Sequence, residues 1–235
     1  MTHHLSLNAN YTLAWAYSYD SGAGTFRNYP RLTTAPFASY EWGPSFNDER
    51  HHITVSGLYD LPWGLQLSPI LQFGSARPYN LTNSSNTLNT GGGTTNAVVV
   101  PKSDPTAFLT FAPSNFGGSS SAANTAAQNC FYGLNGVAQS CTIAQYDPLR
   151  GDPFFELDLR LAKNIKLGEH VNLQLVAQAF NLTNRANYGN DYGPAGGAVS
   201  ISSGAYFGHP QGFINPASTT IPRSLVSEFG FHLTF

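Results

Sequence analysis

The stretch Phe155-Glu156-Leu157-Asp158-Leu159-Arg160-Leu161 decides the fold, because apolar and charged residues alternate along its whole length. Successive side chains of a β-strand point to opposite faces, so this strand has one face of Phe and Leu and a second face of charges. A strand of this kind suits a wall between lipid and water, and it also suits a half-buried strand of a soluble sandwich. Strand length and loop order must therefore decide between the two.

Five further segments alternate in the same way, and their lengths favour a membrane wall. The segments run to roughly 11–14 residues, whereas globular strands have a mode of about 5–6 and a tilted membrane-crossing strand needs about 9–11. We therefore predict six strands, near residues 4–18, 51–61, 65–79, 153–166, 171–183 and 223–235.

The connections between these segments alternate between short and long. Tight turns at 62–64 and 168–170 contrast with long polar segments at 19–48, 80–152 and 184–222. Short turns on one side and long loops on the other are typical of outer-membrane barrels, and soluble sandwiches do not usually sort their loops this way. The sequence predicts an all-β fold, in which residues 1–235 form an antiparallel up-and-down meander of about six long strands. This meander would be part of a larger transmembrane β-barrel, with the long loops extracellular.

Composition agrees with a surface that lies partly in lipid. Charged residues make up 10% of the chain, against about 25% in a typical soluble domain. The sequence contains no apolar run of about 18 residues, which excludes a transmembrane helix. The net charge of −2 gives no reason to expect a nucleic-acid partner.

Charges on the polar strand faces raise the question of catalysis. Glu156 and Asp158 could indicate paired-carboxylate chemistry, but the watery side of a barrel strand also tolerates charges. Adjacent His51 and His52 point to opposite faces of a strand and cannot chelate one metal together. We therefore expect no enzyme activity, no metal and no cofactor. The sequence predicts a lumen-facing polar ladder of Glu156, Asp158, Arg160, Gln174, Gln178, Glu228 and His232.

Aromatic residues fall at both edges of the predicted wall. If the tight turns are periplasmic, these rings would form two girdles at headgroup depth, although ordinary core packing is the alternative. The inner rim would carry Tyr59, Trp63 and Phe235, and the outer rim Trp15, Tyr17, Tyr79 and Phe155.

The two cysteines of the chain lie in a stretch rich in Gly, Ser and Asn. Cys130 and Cys141 have no His or third Cys nearby that would indicate zinc. A loop that faces an oxidising exterior favours a local disulfide between them. Their Cα atoms should then lie about 4.4–6.8 Å apart.

Four stretches together resemble the Oar-like TonB-dependent outer-membrane receptors. DERHHITVSGLYDLPWG at 48–64 resembles a hairpin of that family, and LSPILQFGSARPYN at 67–80 resembles its next strand. FELDLRLAK at 155–163, followed by AFNLTNR at 179–185, resembles the pair before the last strand. The end of the chain is similar to the signal read by the barrel-assembly machinery, with Phe229, Phe231, Leu233 and Phe235 on one face.

The resemblance implies a nutrient transporter of the Gram-negative outer membrane, with about 22 strands, a plug domain and a TonB-contacting segment. Six strands cannot close a lumen, since the smallest barrels have about eight. We therefore expect a fragment whose partners are outer-membrane lipid, the barrel-assembly machinery and the missing plug and barrel strands, with TonB reached only through the missing region. A structural or adhesive protein that binds partners through its loops, and an outer-membrane hydrolase, remain alternatives.

Overall fold

The computed structural model describes residues 4–19, 31–32, 34–83, 87–88, 97–106, 121–146, 148–189, 192, 198–200, 207–210 and 224–235. Strands are numbered along the chain. The wall strands are β1 (Leu5–Leu13), β4 (His51–Leu61), β5 (Leu65–Gly74), β10 (Phe154–Lys166), β11 (Asn172–Phe180) and β13 (Val226–Thr234). The shorter elements are β2 (Tyr17–Ser18), β3 (Gly43–Pro44), β6 (Pro78–Thr82), β7 (Val99–Pro101), helix α1 (Ser121–Tyr132), β8 (Cys141–Ile143), β9 (Leu149–Arg150) and β12 (Ala198–Ser200).

The six wall strands form one antiparallel sheet in the order β1-β4-β5-β10-β11-β13, which confirms the predicted meander. Residues that pair across neighbouring strands lie on the same face of the sheet, so the apolar face of one strand continues onto the next. One apolar row joins Leu157 to Leu71, Val55 and Ala9. The sheet is open, with β1 and β13 as its edges, and is part of a barrel rather than a closed one.

Two tight turns connect wall strands at one end of the sheet. Pro62–Gly64 forms a 3-10 turn in which Trp63 has φ 62° and Gly64 has φ 73°. A Cβ at Gly64 would lie 2.8 Å from the Asn164 carbonyl oxygen, so the close approach of β10 requires glycine there. At the second turn the Leu167 N–H donates to the Val171 carbonyl at 2.9 Å. We call this end the inner rim and the opposite end the outer rim.

The predicted strand 65–79 is two strands, a correction to the sequence-based boundary. β5 ends at Gly74 and β6 begins at Pro78, which has no N–H to continue a ladder. The pairing nevertheless resumes in the same register, since Gly74 faces Phe154 in the wall and Pro78 faces Arg150 beyond it. The Gly151 N–H donates to the Arg77 carbonyl at 3.0 Å across the break.

The predicted strand 4–18 is likewise divided. β4 has its predicted bounds, and the last three wall strands lie slightly inside theirs. β1 stops at Leu13, and β2 pairs separately with β3. The reason is that the Ala16 N–H donates to the Asp48 side chain at 2.9 Å instead of to a neighbouring strand. Within the predicted loops and last strand, 20–30, 89–96, 107–120 and 211–223 lie outside the described residues.

The loops between wall strands pack together into a folded unit, here called the loop module. It contains β6, β7, α1, β8 and β9, with contributions from the first and third loops through Leu32 and Tyr192. The run 97–100, which leads into β7 and includes its first two residues, is buried. One cluster contains Tyr79, Leu81, Val98, Val100, Ala144 and Tyr192, and the other Leu32, Leu88, Ala97, Val99, Ala127, Phe131, Cys141 and Ile143.

The buried apolar core therefore lies in the loop module, above one end of the sheet. Within the described residues, no helix is long and apolar enough to cross a membrane.

Candidate functional site at the outer rim

The two faces of the wall have opposite chemistry. On the apolar face Leu7 is 67% exposed and Phe231 is 77% exposed. Such a large exposed apolar surface indicates an interaction surface rather than a face that meets water. The opposite face carries the predicted polar ladder, whose members the register places on the same side of β10, β11 and β13.

Hydrogen bonds connect several members of the polar ladder. Gln178 Nε2 donates to Glu228 Oε2 at 2.8 Å, and Gln174 Nε2 donates to Asn164 Oδ1 at 3.0 Å. Glu156 is buried at 3% exposure, whereas Arg160 is exposed. His232 Nδ1 lies 3.4 Å from the Thr234 hydroxyl, which is on the same strand. This arrangement forms a polar wall surface opposite the apolar face.

Asp158 has a structural contact at the outer end of β11. Its Oδ1 accepts a hydrogen bond from the Asn181 N–H at 2.9 Å. The Asn181 side chain in turn accepts from the Arg185 N–H and donates to the Arg185 carbonyl, which holds the chain in a turn after the strand. The AFNLTNR stretch at 179–185 is thus a strand-ending turn that Asp158 anchors.

Asp48 joins three separate segments at the outer rim. Its Oδ1 accepts from the Ala16 N–H at 2.9 Å, and its Oδ2 accepts from Arg150 Nη2 at 2.6 Å. The other terminal nitrogen of Arg150 donates to the Asp48 and Ala76 carbonyls at 3.0 and 3.2 Å. Arg50 Nη2 lies 3.5 Å from Asp48 Oδ2. The ends of β1 and β5 and the strand β9 are therefore fixed to one carboxylate.

Burial of Asp48 by itself would raise the pKa of its carboxyl. The hydrogen bond from Ala16 and the hydrogen bond and charge of Arg150 outweigh burial, so the pKa of Asp48 lies below its ordinary value of 3.8. The side chain is thus an anion over the whole physiological pH range.

A second carboxylate, Glu49, bridges the starts of two neighbouring segments. Glu49 Oε2 accepts from Arg77 Nη2 at 2.6 Å and from Arg77 Nε at 2.8 Å. Glu49 Oε1 lies 2.5 Å from His52 Nδ1. The carboxylate also approaches Gly74 closely, since a Cβ there would lie 2.7 Å from Oε1. Any larger residue at Gly74 would displace this contact.

A buried ion pair fastens the first loop to the loop module. Arg31 and Glu41 are both fully buried, with Nε and Oε2 3.5 Å apart. The Arg31 guanidinium donates to the carbonyls of Tyr40 and Ala144 and lies 4.0 Å from the centre of the Tyr146 ring. The ion pair is therefore supported by further contacts, as a buried charge requires.

A disulfide joins Cys130 at the end of α1 to Cys141 at the start of β8. Their Cα atoms are 5.3 Å apart, within the range of about 4.4–6.8 Å that a bridge needs. The Ser140 N–H also donates to the Cys130 carbonyl at 3.0 Å. Helix α1 is thus bound covalently to the β7–β8 pair.

We expect the double substitution Cys130→Ser with Cys141→Ser to lower the free energy of opening of the loop module by about 2–3 kcal/mol, because the bridge closes a short loop. Hydrogen exchange measured by mass spectrometry should show faster exchange in β7 and β8. Exchange in β10 should stay unchanged and serves as the internal control. Equal acceleration in the module and the wall would contradict a local role for the bridge.

A cleft of about 440 Å³ opens in the loop module beside Arg150. Asp48 already neutralises Arg150, so the cleft presents little net charge. Hydroxyl, amide and guanidinium groups line the cleft together with proline rings and Ile143. Its polar lining comes from Ser39, Tyr40, Thr106, Thr142, Gln145 and Arg150. This chemistry suits a neutral, polar ligand of modest size.

The predicted interfacial aromatics divide into two groups. Tyr59 and Trp63 are exposed at the inner rim, and Trp15 and Tyr17 at the outer rim, while Phe155 pairs with Phe73 on the apolar face. The prediction that Tyr79 is an interfacial aromatic at the outer rim was wrong. Its ring is buried at 4% exposure and stacks on Tyr192 at 4.5 Å, because Tyr79 follows the break after β5 and enters the loop module.

The residues of the predicted C-terminal assembly signal lie along the apolar face of the edge strand β13 and at its inner end. Phe229, Phe231 and Leu233 pair with Ala177, Leu175 and Leu173 of β11. Phe235 follows at the inner end of the strand and is 93% exposed.

Sequence reasoning missed the rim network and the buried core of the loop module. Asp48, Glu49 and Arg77 fall in the stretches that carried the family resemblance, yet no role followed from the sequence, because their partners are distant along the chain. The run AVVV at 97–100 was a usable signal for a buried strand. Among the described residues, no group of three or more His, Cys, Asp or Glu side chains could hold a metal.

A scan against protein-family models matches residues 1–224 to an outer membrane beta barrel domain. A search of curated proteins found no match. The family match and the two-faced antiparallel wall agree with each other. The chain therefore belongs to the family of outer membrane beta barrel domains and lies in the outer membrane.

Proposed function

We propose that the chain forms part of the wall and the outer face of a TonB-dependent receptor that takes up a nutrient across the outer membrane. The observation that carries the proposal is the packing of described residues from all three outer loops into one module above the wall. A passive pore needs no folded module above its wall. A receptor, by contrast, needs a shaped outer surface that binds its ligand before transport. The stretches at 48–64, 67–80, 155–163 and 179–185 that resemble Oar-like receptors support the same function.

Uptake in the native bacterium tests this proposal. The probes are a radiolabelled iron(III)–hydroxamate chelate, a maltooligosaccharide and a tetrapeptide, each measured in the parent strain and in a strain without the gene. We expect accumulation of at least one probe to fall to background in the deletion strain, and also in the parent after a protonophore. Uptake that depends on the gene but resists the protonophore would indicate a passive pore. No dependence on the gene for any probe would equally overturn the proposal.

We also propose that the last strand directs assembly through the barrel-assembly machinery, with outer-membrane lipid as its final surrounding. Removal of Phe235 should lower the amount of protein in the outer membrane several-fold. A strand in lipid must present an apolar face while its backbone is paired on both edges. Quantitative immunoblots of outer-membrane fractions measure the amount.

Ligand uptake per inserted molecule is the control for the Phe235 deletion. It should remain at the wild-type level, because the inner rim lies far from the loop module. Normal insertion with reduced uptake would show that the strand serves ligand binding instead.

An adhesive or structural role is a second candidate, favoured by the folded core and disulfide of the loop module. Such a protein would bind a partner at the cell surface without transport. Loss of surface attachment in the deletion strain, with unchanged uptake of all three probes, would select this function.

We propose no enzymatic role for the wall carboxylates. Asp158 is occupied by the turn at Asn181, and His232 by Thr234 on its own strand. Hydrolytic activity of the detergent-purified protein that disappears in Asp158→Asn or His232→Gln would show that an enzyme is present after all.

A further inference from the structure

The cleft beside Arg150 runs along one edge of the strand β8. Thr142 and Ile143 both line the cleft, although neighbouring strand residues point to opposite faces. A cleft that touches both residues therefore follows an edge of the strand rather than one face. β7 pairs with the other edge of β8, and no residue of β7 lines the cleft. Within the described part of the chain, the edge at the cleft has no strand beside it, and we call it the free edge.

The hydrogen bonds between β7 and β8 show which backbone groups point to the free edge. The Lys102 N–H donates to the Ser140 carbonyl at 2.9 Å. The Ala144 N–H donates to the Val98 carbonyl, also at 2.9 Å. Bonded and non-bonded residues alternate in an antiparallel pair, so the even-numbered residues of this segment bond toward β7. The N–H and the carbonyl of Ile143 therefore point away from β7, to the free edge.

Ile143 has a buried backbone without a hydrogen-bond partner. The residue is 1% exposed. Among the residues that the structure describes, none forms a hydrogen bond with its N–H or its carbonyl. Buried backbone groups are nearly always paired, because an unpaired one costs free energy. The free edge thus offers one donor and one acceptor that a ligand in the cleft can satisfy.

A segment of the first outer loop forms another wall of the cleft, through Ser39, Tyr40 and Pro44. The Arg31 guanidinium donates to the Tyr40 carbonyl and to the Ala144 carbonyl. It therefore holds this segment next to the end of β8. The cleft lies between two parts of the chain that the buried arginine fixes in place.

The remaining lining of the cleft leaves the free edge unpaired and carries little charge. Three prolines line it, Pro44, Pro105 and Pro148. Proline has no N–H, so these residues cannot donate to the Ile143 carbonyl as a neighbouring strand would. The one charged lining residue is Arg150, and Asp48 neutralises it. The cleft therefore favours a ligand that has amide groups and no net charge.

We propose that the cleft binds a short extended peptide with uncharged side chains, whose main chain pairs with the free edge of β8 at Ile143. A peptide that adds a strand to an open edge is held by main-chain hydrogen bonds, and side-chain pockets give specificity. The hydroxyl groups of Ser39, Thr106 and Thr142 line the same cleft and meet the polar groups of such a peptide. The inference rests on the proposed receptor function, for which it names the ligand class, and direct binding tests it separately from uptake.

Isothermal titration calorimetry of the purified full protein in detergent tests the main-chain pairing. The probe is a pentapeptide of alanine, valine and threonine with acetyl and amide ends, which carries no charge. Two matched peptides have an N-methyl group, one at the central amide and one at the amide next to it. Neighbouring N–H groups of a strand point to opposite edges, so only one of the two methyl groups lies on the edge that meets β8.

We expect one N-methyl group to weaken binding by about ten-fold, the loss of one hydrogen bond, and the other to leave the affinity nearly unchanged. Equal weakening by both methyl groups, or weakening by neither, would overturn the proposal. So would the absence of binding of the unmethylated peptide. This comparison uses the unaltered protein, so it does not depend on the folding of a variant.

A variant that fills the cleft provides a second test. Ser39 is exposed and lines the cleft, so Ser39→Trp should weaken peptide binding by about ten-fold or more. Ala138→Trp is the matched control, because Ala138 is an exposed residue of the loop module outside the cleft, and its peptide affinity should equal that of the wild type. Equal affinities of the two variants would count against the cleft as the binding site.

Two further outcomes separate this inference from its alternatives. Binding of a maltooligosaccharide that Ser39→Trp abolishes, without binding of the peptide, would overturn the proposal and assign the cleft to a carbohydrate. Peptide binding that shows the N-methyl pattern, in a protein on which no uptake depends, would support the cleft assignment and count against the receptor function alone.

Discussion

Replacing Leu175 with Arg will lower the free energy of unfolding of the inserted protein by about 1–2 kcal/mol, because the charge would lie on the lipid-facing surface, in the row of Lys163 and Leu65 toward the inner rim. Leu175 pairs with Phe231 and Lys163 on the apolar face. Reversible unfolding in guanidinium chloride, followed by tryptophan fluorescence in lipid vesicles, measures the loss.

The neighbouring residue provides the matched control for Leu175→Arg. Gln174 lies on the opposite face of the same strand, where its side chain bonds to Asn164 and its backbone faces His232. Gln174→Arg adds the same charge to the hydrated side and should change the free energy of unfolding by less than about 1 kcal/mol. Equal losses for the two variants would mean that the two faces of the wall do not differ in their surroundings.

Replacing Asp48 with Ala will loosen the outer rim by about 2–4 kcal/mol, since it removes charge-assisted hydrogen bonds and leaves the Ala16 N–H without its acceptor. Arg150 and Arg50 would lose their shared carboxylate, although both guanidinium groups are partly exposed and keep some solvation. Limited proteolysis of intact cells should show faster cleavage of the loop module.

Asp104→Ala is the control for Asp48→Ala, because Asp104 is exposed and its side chain accepts hydrogen bonds from nearby Thr106. Its cleavage rate should equal that of the wild type. Faster cleavage in both variants would show that the loss of any loop carboxylate loosens the module. The proposal that Asp48 in particular holds the rim segments together would then be wrong.

The stability supplied by Asp48 should also depend on pH. Its folded pKa is depressed, so the contribution is complete above the ordinary value of 3.8 and disappears as the pH falls through the lower folded value. Proteolysis rates at pH 3 and pH 6, with an acid-tolerant protease, should differ more for the wild type than for Asp48→Asn. A parallel pH response of the two proteins would remove Asp48 as the titrating group.

The wall was predictable because its information is local. The alternation at 155–161 gives both the strand and its two faces, and the antiparallel register then preserves those faces across every neighbour. Loop order gave the direction of the strands.

The outer rim was not predictable, because its contacts join distant positions. The strand after Leu13 is interrupted by the carboxylate of Asp48, which captures the Ala16 N–H from another segment. Tyr79 is buried because Tyr192 arrives from the third loop. Side-chain bonds of this kind compete with strand pairing and leave no periodic pattern in the sequence. The burial of Arg31 with Glu41 likewise depends on distant residues, because Arg31 contacts Ala144 and Tyr146.

The shared register of β5–β10 and β6–β9 has a consequence for the order of folding. β5 and β10 are neighbours in the wall, yet residues 75–153 separate them along the chain, and bringing distant strands together slows folding. If the loop module folds first, the pair of Pro78 with Arg150 already aligns both wall strands. Only a few residues then separate this pair from the first pair of the wall strands β5 and β10. The shorter loop lowers the entropic cost of bringing the two strands together by about 2 kcal/mol. The loop module would thus set the register of β5 and β10 before these two strands enter the membrane.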